Sequence, residues 1–174
     1  MRHDDWNLVH DLMVATMVEL WGELDVPVTF TGSLSQRDAQ WSGTLAVIGF
    51  GGAKMRGTLV LGAPDELLAR THPVQSKDPL DLVDWLAELS NQTLGRMKAR
   101  LLAHDLVIET ATPLTISAAA LRLRSFQGPP LLMLFSSPEG PIQIAFEATG
   151  EHHVELAPKQ TTAVTAPAGE LILF

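Results

Sequence analysis

The chain has 174 residues, 46% apolar and 18% charged, and a formal net charge of −8 at pH 7. Those figures exclude a disordered polymer and give a single domain enough apolar material for a core. The acidic balance argues against a nucleic-acid backbone as partner. The absence of cysteine excludes disulfides and thiolate metal sites and fits a reducing compartment.

In chain order, Met1-Arg2-His3-Asp4-Asp5 has no apolar run behind a basic start, so no secretory signal is expected. No stretch reaches the roughly 18 apolar residues of a membrane span. The expected location is cytoplasmic. Residues 4–24 repeat Val9, Leu12, Met13, Thr16, Leu20 and Leu24 at three- and four-residue steps, which predicts a helix capped by Asp4 or Asp5. Val26, Val28 and Phe30 alternate in an extended stretch. Residues 44–50 and 57–61 are strand-like and flank Gly51-Gly52-Ala53-Lys54, a hairpin signal. Residues 64–70 predict a short helix with Pro64 at its first position, and residues 72–77 predict a loop.

Asp78-Pro79 is the strongest helix start in the chain: Asp78 caps, Pro79 suits the first position, and Asp81 favours the N-terminus. The helix is expected to run to about Ala103. His104-Asp105 then suits a turn at the helix C-terminus. Beyond it lie Val107-Ile108, Pro113 and a strand near residues 121–123. A last hairpin pairs 131–135 with 142–146. Helix–strand–hairpin order occurs twice, without a repeat strong enough to align. The expected fold is α/β in the α+β sense, a mixed, largely antiparallel sheet packed against two long helices. Residues 1–150 form the expected domain. Residues 151–174 are an expected flexible Ala/Thr/Pro-rich tail ending in Leu171-Ile172-Leu173-Phe174.

On a helical wheel, Leu82, Val83, Leu89, Ser90, Thr93, Met97 and Leu101 fall within about 60° of Leu86 and make the predicted core face, interrupted by Arg100. Asp84, Glu88, Asn91 and Gly95 fall about 140–200° away, in one narrow stripe. Glycine there costs about 1 kcal/mol relative to alanine, and it leaves room for a docking partner. A solvated polar face is the ordinary alternative. Trp85, about 100° from the core centre, is expected at a boundary or interface.

The run Asp84-Trp85-Leu86-Ala87-Glu88-Leu89-Ser90-Asn91-Gln92-Thr93-Leu94-Gly95 resembles the signature of the CheC/CheX/FliY chemotaxis phosphatases: an Asp or Ser, Glu four later, Asn three after that, and a distant Pro. Gly95 matches the CheX version, and Pro113 resembles the family proline, one residue earlier than in CheC proteins. Ile48-Gly49-Phe50-Gly51-Gly52 before Gly57-Thr58-Leu59-Val60-Leu61 resembles the family's first hairpin, and Thr16–Leu20 its opening helix. The resemblance spans residues 6–148. The stretch after Pro113 lacks an expected glycine, and the first helix lacks Glu-x-x-Asn.

The resemblance implies a phosphatase acting on the aspartyl phosphate of a CheY-like response-regulator receiver domain. Glu88 and Asn91 would be catalytic. Asp84, Gly95 and Pro113 would support the site or bind the partner. Mg²⁺ would come from the receiver, with no metal or cofactor on this chain. It also implies a homodimer, while charge and hydropathy give the expectation of no nucleic-acid or membrane partner. The alternative is a non-catalytic module of the same fold that binds a receiver or a flagellar-switch component. His152-His153 lacks metal-ligand spacing, Gly49–Gly52 lacks the ending of a phosphate loop, and no nucleophile elbow is present.

Overall fold

The computed structural model describes residues 3–35, 38–124 and 131–150. The predicted tail, with its apolar tip and His152-His153, lies outside them. The elements are α1 (His3–Glu23), β1 (Thr29–Ser35), β2 (Asp38–Gly51), β3 (Met55–Gly62), α2 (Asp65–Thr71), α3 (Pro79–Leu102), β4 (Glu109–Thr110), β5 (Leu114–Arg124), β6 (Leu131–Ser137) and β7 (Gly140–Gly150).

The strands make one sheet in the order β1-β6-β7-β3-β2-β4, with β5 also paired to β2. All pairings among the described residues are antiparallel. β4 pairs with Phe50 and Gly51 of β2, and β5 with residues 38–47 of it. The two are therefore one edge, broken at residues 111–113. Pro113 has no N–H to donate, and such residues are tolerated at edges and breaks.

The order is palindromic by halves. Each half runs helix, edge strand, hairpin: α1, β1, β2–β3, then α3, β4/β5, β6–β7. The halves meet at the antiparallel β3–β7 pair. Each edge strand crosses over to the other half's hairpin, β1 onto β6 and β5 onto β2. An approximate two-fold relation follows from the topology.

α1 and α3 pack against each other, and α3 lies over β2 and β3. Val9, Met13, Met17 and Trp21 of α1 join Leu82, Leu86, Leu89 and Met97 of α3 over Ile48, Leu59, Ile144 and Phe146 of the sheet. Apolar burial of this kind is the main stabilising term, worth about 1.5–3 kcal/mol per large side chain. Side chains alternate along a strand, so Val60, Leu132 and Ala145 turn to the opposite face. There they form a second, smaller cluster with Trp41 and Leu45. Gly62 permits it, since a Cβ there would lie 2.9 Å from Leu45 and 3.2 Å from the Trp41 ring.

Several boundaries differ from expectation. β1 begins at Thr29, after the extended Val26-Pro27-Val28, because Pro27 offers no ladder donor. Pro64 is the N-cap of α2 rather than its first helical residue, with φ −63° and ψ 144°. β2 starts at Asp38 and β5 at Leu114, well before the predicted strand starts. Each supplies the other's hydrogen bonds along residues 38–47 and 114–124, a pairing that local sequence does not announce.

Candidate active ridge on the third helix

The start of α3 is fixed as the sequence requires. Asp78 Oδ1 accepts a hydrogen bond from the Leu80 amide at 2.9 Å, with Pro79 at the first turn. Ser76 Oγ donates to Asp81 Oδ2 at 2.5 Å and accepts from the Asp78 amide at 3.2 Å. At the far end Asp105 adopts a positive φ of 59°, and its carboxylate pairs with Lys54 at 2.5 Å. The helix is therefore held at both ends.

One flank of α3 is tied to α1. Arg96 bridges Glu19 at 2.8 Å and Glu23 at 2.5 Å, and Arg100 also pairs with Glu19. The hydrogen bond from Arg96 holds the Glu23 carboxyl below the usual carboxylate range, against a smaller opposing effect of burial. The Arg96 guanidinium is correspondingly raised, first by its hydrogen bond to Glu23. The other flank faces the β4–β5 edge, where Lys98 pairs with Glu109 at 2.7 Å. Near the N-terminus Trp85 is half-buried, donates from Nε1 to Thr71 Oγ1 at 3.0 Å, and meets the edge of His72. It is the predicted interface residue, and α2 is what it meets.

The buried side of α3 is Leu82, Leu86, Leu89, Ser90, Thr93, Leu94, Met97 and Leu101. Leu94 was not among the predicted core residues. It lies about 80° from Leu86 and is buried because the covered face is wider than a 60° sector. Val83 is only half-buried.

The predicted stripe faces outward. Asp84, Glu88 and Gly95 are exposed, and Asn91 is half-exposed. Glu88 and Asn91 stand one turn apart on the same side. Gln92 Nε2 donates to Glu88 Oε1 at 2.9 Å, a neighbour that the four-residue spacing rule could have found. The sequence reading also missed Arg96, Glu19 and Glu23, because ion pairs between helices leave no local pattern. Pro113 lies in the break between β4 and β5, the edge to which Lys98 of α3 is tied through Glu109. A Cβ on Gly95 would meet nothing within 4 Å. The fold of this chain therefore places no steric demand for glycine at 95.

The stripe is an outward-facing ridge. A groove of about 610 Å³ lies beside its N-terminal end, lined by Ala69, Arg70, Pro79, Leu82 and Val83 among others, and includes neither Glu88 nor Asn91. Small ligands bind in concave sites, whereas a convex ridge fits into another macromolecule. Leu80 and Leu102, 75% and 60% exposed, stand at its two ends, and apolar residues beside polar ones are what a docking face needs. Among the described residues there is no group of three or more His, Asp or Glu able to hold a metal ion. No helix among them is long and apolar enough to cross a membrane.

Neither a protein-family model nor a curated protein sequence matches the chain. Solved structures do. The CheX chemotaxis protein of Desulfovibrio desulfuricans aligns over 81% of this chain and 99% of its own, with a TM-score of 0.72 at 16% identity. CheX of Vibrio vulnificus aligns over the same 81% and 99%, with a TM-score of 0.71 at 19% identity. The chain has the CheX fold. CheX of Borrelia burgdorferi, solved in complex with CheY, BeF₃ and Mg²⁺, aligns over 84% of this chain and 99% of its own, with a TM-score of 0.62 at 15% identity. The expectation of an α+β fold with a largely antiparallel sheet and two long helices thus holds. In the CheX fold found here, the long helix α3 carries Asp84, Glu88, Asn91 and Gly95 in line on its outer side.

Proposed function

We propose that this chain is a phosphatase for the aspartyl phosphate of a CheY-like response-regulator receiver domain. The observation that carries the reading is the outward-facing pair Glu88 and Asn91 on one turn of a rigidly anchored helix. The CheX of Borrelia burgdorferi, crystallised with CheY, BeF₃ and Mg²⁺, supports a receiver as the partner class.

The chemistry asks little of the chain. In the receiver, Mg²⁺ and a Lys neutralise the phosphoryl oxygens. What is missing is an aligned water. The Asn91 carboxamide both accepts and donates, so it orients a water in line with the phosphorus–carboxylate bond. A glutamine does the same in GTPases. The water oxygen bonds to phosphorus as the bond to the carboxylate oxygen breaks. Inorganic phosphate leaves, the water's protons pass to phosphate and solvent, and the receiver carboxylate is restored. Positioning and electrostatics carry such reactions, so no nucleophile is needed on this chain. Glu88 pairs with the receiver Lys and sets the docking register. Asp84 supports that pairing, Gly95 lets the partner approach, and Pro113 shapes the adjoining edge. Residues 1–150 act as the phosphatase domain, with residues 151–174 as an appended tail. The same reading includes a cytoplasmic location and a homodimer through the sheet edges, checked by sedimentation equilibrium.

A second reading is a module that binds a receiver or a flagellar-switch component without hydrolysis. The Gln92–Glu88 hydrogen bond favours it, because it occupies one carboxylate oxygen in the free chain. Phosphate release from acetyl-phosphate-charged receivers separates the two. Catalysis predicts release that Asn91→Ala abolishes while binding of the beryllofluoride-loaded receiver persists. Normal release by Asn91→Ala removes the mechanism.

A further inference from the structure

The groove beside the N-terminal end of α3 plays no part in the chemistry assigned to the ridge. At about 610 Å³ it lies within the ~300–1,000 Å³ of pockets that enclose an organic group. α2, the start of α3 and the paired residues Thr44 of β2 and Ser117 of β5 surround it. Leu82 is buried and Ala69 and Val83 are half-buried, so the floor is apolar. Much of the polar wall is already paired: Thr44 and Ser117 share a hydrogen bond at 2.8 Å, and Arg70 holds Glu139 at 2.8 Å. Asp65 and Glu66 line the side formed by the first turn of α2, and Lys77 the side formed by the loop before α3. The Lys77 ammonium has no ion pair or hydrogen bond among the described residues. An occupant that is apolar along its length and acidic at one end fits such a site, with its acid at Lys77 and away from Asp65 and Glu66.

The chain itself supplies that pattern. CheX of Desulfovibrio desulfuricans aligns over 99% of its own length but 81% of this chain, so this chain carries more residues than the fold needs. After Gly150, twenty residues (151–170) lead to the run Leu171-Ile172-Leu173-Phe174, with Glu170 immediately before it. Four large apolar side chains in a row are better buried than wet. The length between also matches. Gly150 stands opposite Met55, and Gly51 opposite Arg56, so the chain leaves β7 beside the end of β2. Thr44 lies seven residues back along β2 and two strands across from β7. That is about 25 Å away, at ~3.3 Å per residue and ~4.8 Å per strand. A twenty-residue linker spans about 22–27 Å on root-mean-square average, from about 5–6 Å × √n. Effective concentration peaks where linker and span match, on the order of millimolar, so a modest affinity fills the groove.

We propose that the Leu171–Phe174 run docks in this groove of its own chain, with Glu170 at Lys77. Val83 adjoins Asp84 in α3, so the docked run stands at the N-terminal end of the ridge, and whatever seats on the ridge meets it there.

The test uses the full chain. It has no cysteine, so Ala168→Cys carries a single nitroxide close to the run. In isotope-labelled protein, the amide signals of Ala69, Leu82 and Val83 are expected to lose most of their intensity relative to the reduced label. Those of Met55 and Asp105, near where the tail leaves the sheet, are expected to keep theirs. Losses centred on Met55 and Asp105, or spread evenly over the surface, overturn the proposal. Adding Leu171→Asp and Phe174→Asp is expected to restore the groove signals without changing Tm; losses that persist overturn it too, because another part of the tail is then what binds. Lys77→Glu is expected to recover part of the intensity and Lys77→Arg none, and an undiminished loss in Lys77→Glu removes the assigned orientation. Mixing nitroxide-bearing chains without isotope with isotope-labelled chains without nitroxide identifies the source. Groove signals are expected to stay intact in the mixture, and their loss would put a second copy's tail in the groove and overturn the proposal.

Discussion

α1 and α3 are built to one plan and end with different surfaces. With Met13 set against Leu86, the buried residues Val9, Met13, Thr16, Met17, Leu20 and Trp21 of α1 all fall on buried residues of α3, and the Glu23–Arg96 pair joins the two helices. Outward, α3 carries Glu88 and Asn91 where α1 carries Ala15 and Val18. Packing thus fixes where a ridge stands and how it is aimed, and is indifferent to what the ridge displays. In the functional reading, two side chains that contribute almost nothing to folding decide whether a docked partner loses its phosphate.

The strongest way to break that comparison is to truncate the equivalent positions. Asn91→Ala is expected to lower phosphate release by about 100-fold or more, the loss typical of a removed positioning group. Val18→Ala is expected to leave the rate essentially unchanged. Both sites are on the surface, so both variants are expected to keep the wild-type Tm, as substitutions away from packed features do. Phosphate-release kinetics beside a melting curve check this. Equal losses of rate would mean that the two ridges act as one unit.

A smaller effect, of opposite sign in stability and function, is expected at the glycines. Gly95→Ala is expected to stabilise the chain by about 1 kcal/mol, since alanine is the better helix former and the added methyl meets no atom within 4 Å. It is expected to slow phosphate release by crowding the docked receiver. Gly22→Ala is expected to stabilise less, because residue 22 lies in the last turn of α1, and to leave hydrolysis at α3 unchanged. Urea denaturation and steady-state release measure the two sides. A Gly95→Ala chain that gains both stability and rate would show that the glycine serves no partner.

How much of this was legible in the sequence depends on whether the cause was local. The start of α3 was, because Asp78 and Pro79 act on their own helix, and so was the outward stripe, because wheel angle alone sets Asp84, Glu88, Asn91 and Gly95 opposite Leu86. The early parts of β2 and β5 were not: residues 38–43 and 114–120 have weak apolar alternation and become strands by pairing with each other. Leu94 was missed because the width of the buried face is set by neighbours rather than by the helix. The two-fold relation was hidden for a further reason. Met13 and Leu86, Thr16 and Leu89, or Trp21 and Leu94 share burial but not identity, so the repeat is visible only once the sheet order and the ion pair between the helices are known. The catalytic assignment came from resemblance, and geometry supplies its exposure and its rigid support.

The finest test of the comparison is the ion pair that both helices share. Arg96 holds the Glu23 carboxyl below its ordinary range, so the folded state binds that proton less readily than the unfolded chain does. A group shifted downward stabilises the fold above its unfolded value, and this contribution disappears as pH falls through the folded value. For Glu23 the loss is therefore expected on the acid side of the ordinary glutamate value. In wild-type protein Tm is expected to fall across that window, and Glu23→Gln is expected to shallow the acid limb while leaving its general form, which other carboxylates share. Because the pair is exposed, the difference is small, and added salt is expected to shrink it. Melting curves from pH 6 to pH 3, at low and high ionic strength, resolve it. If Glu23→Gln keeps the full acid limb, the pair contributes nothing to holding α1 against α3, and the common orientation of the two ridges must come from the apolar contacts of Met13, Met17 and Leu86 alone.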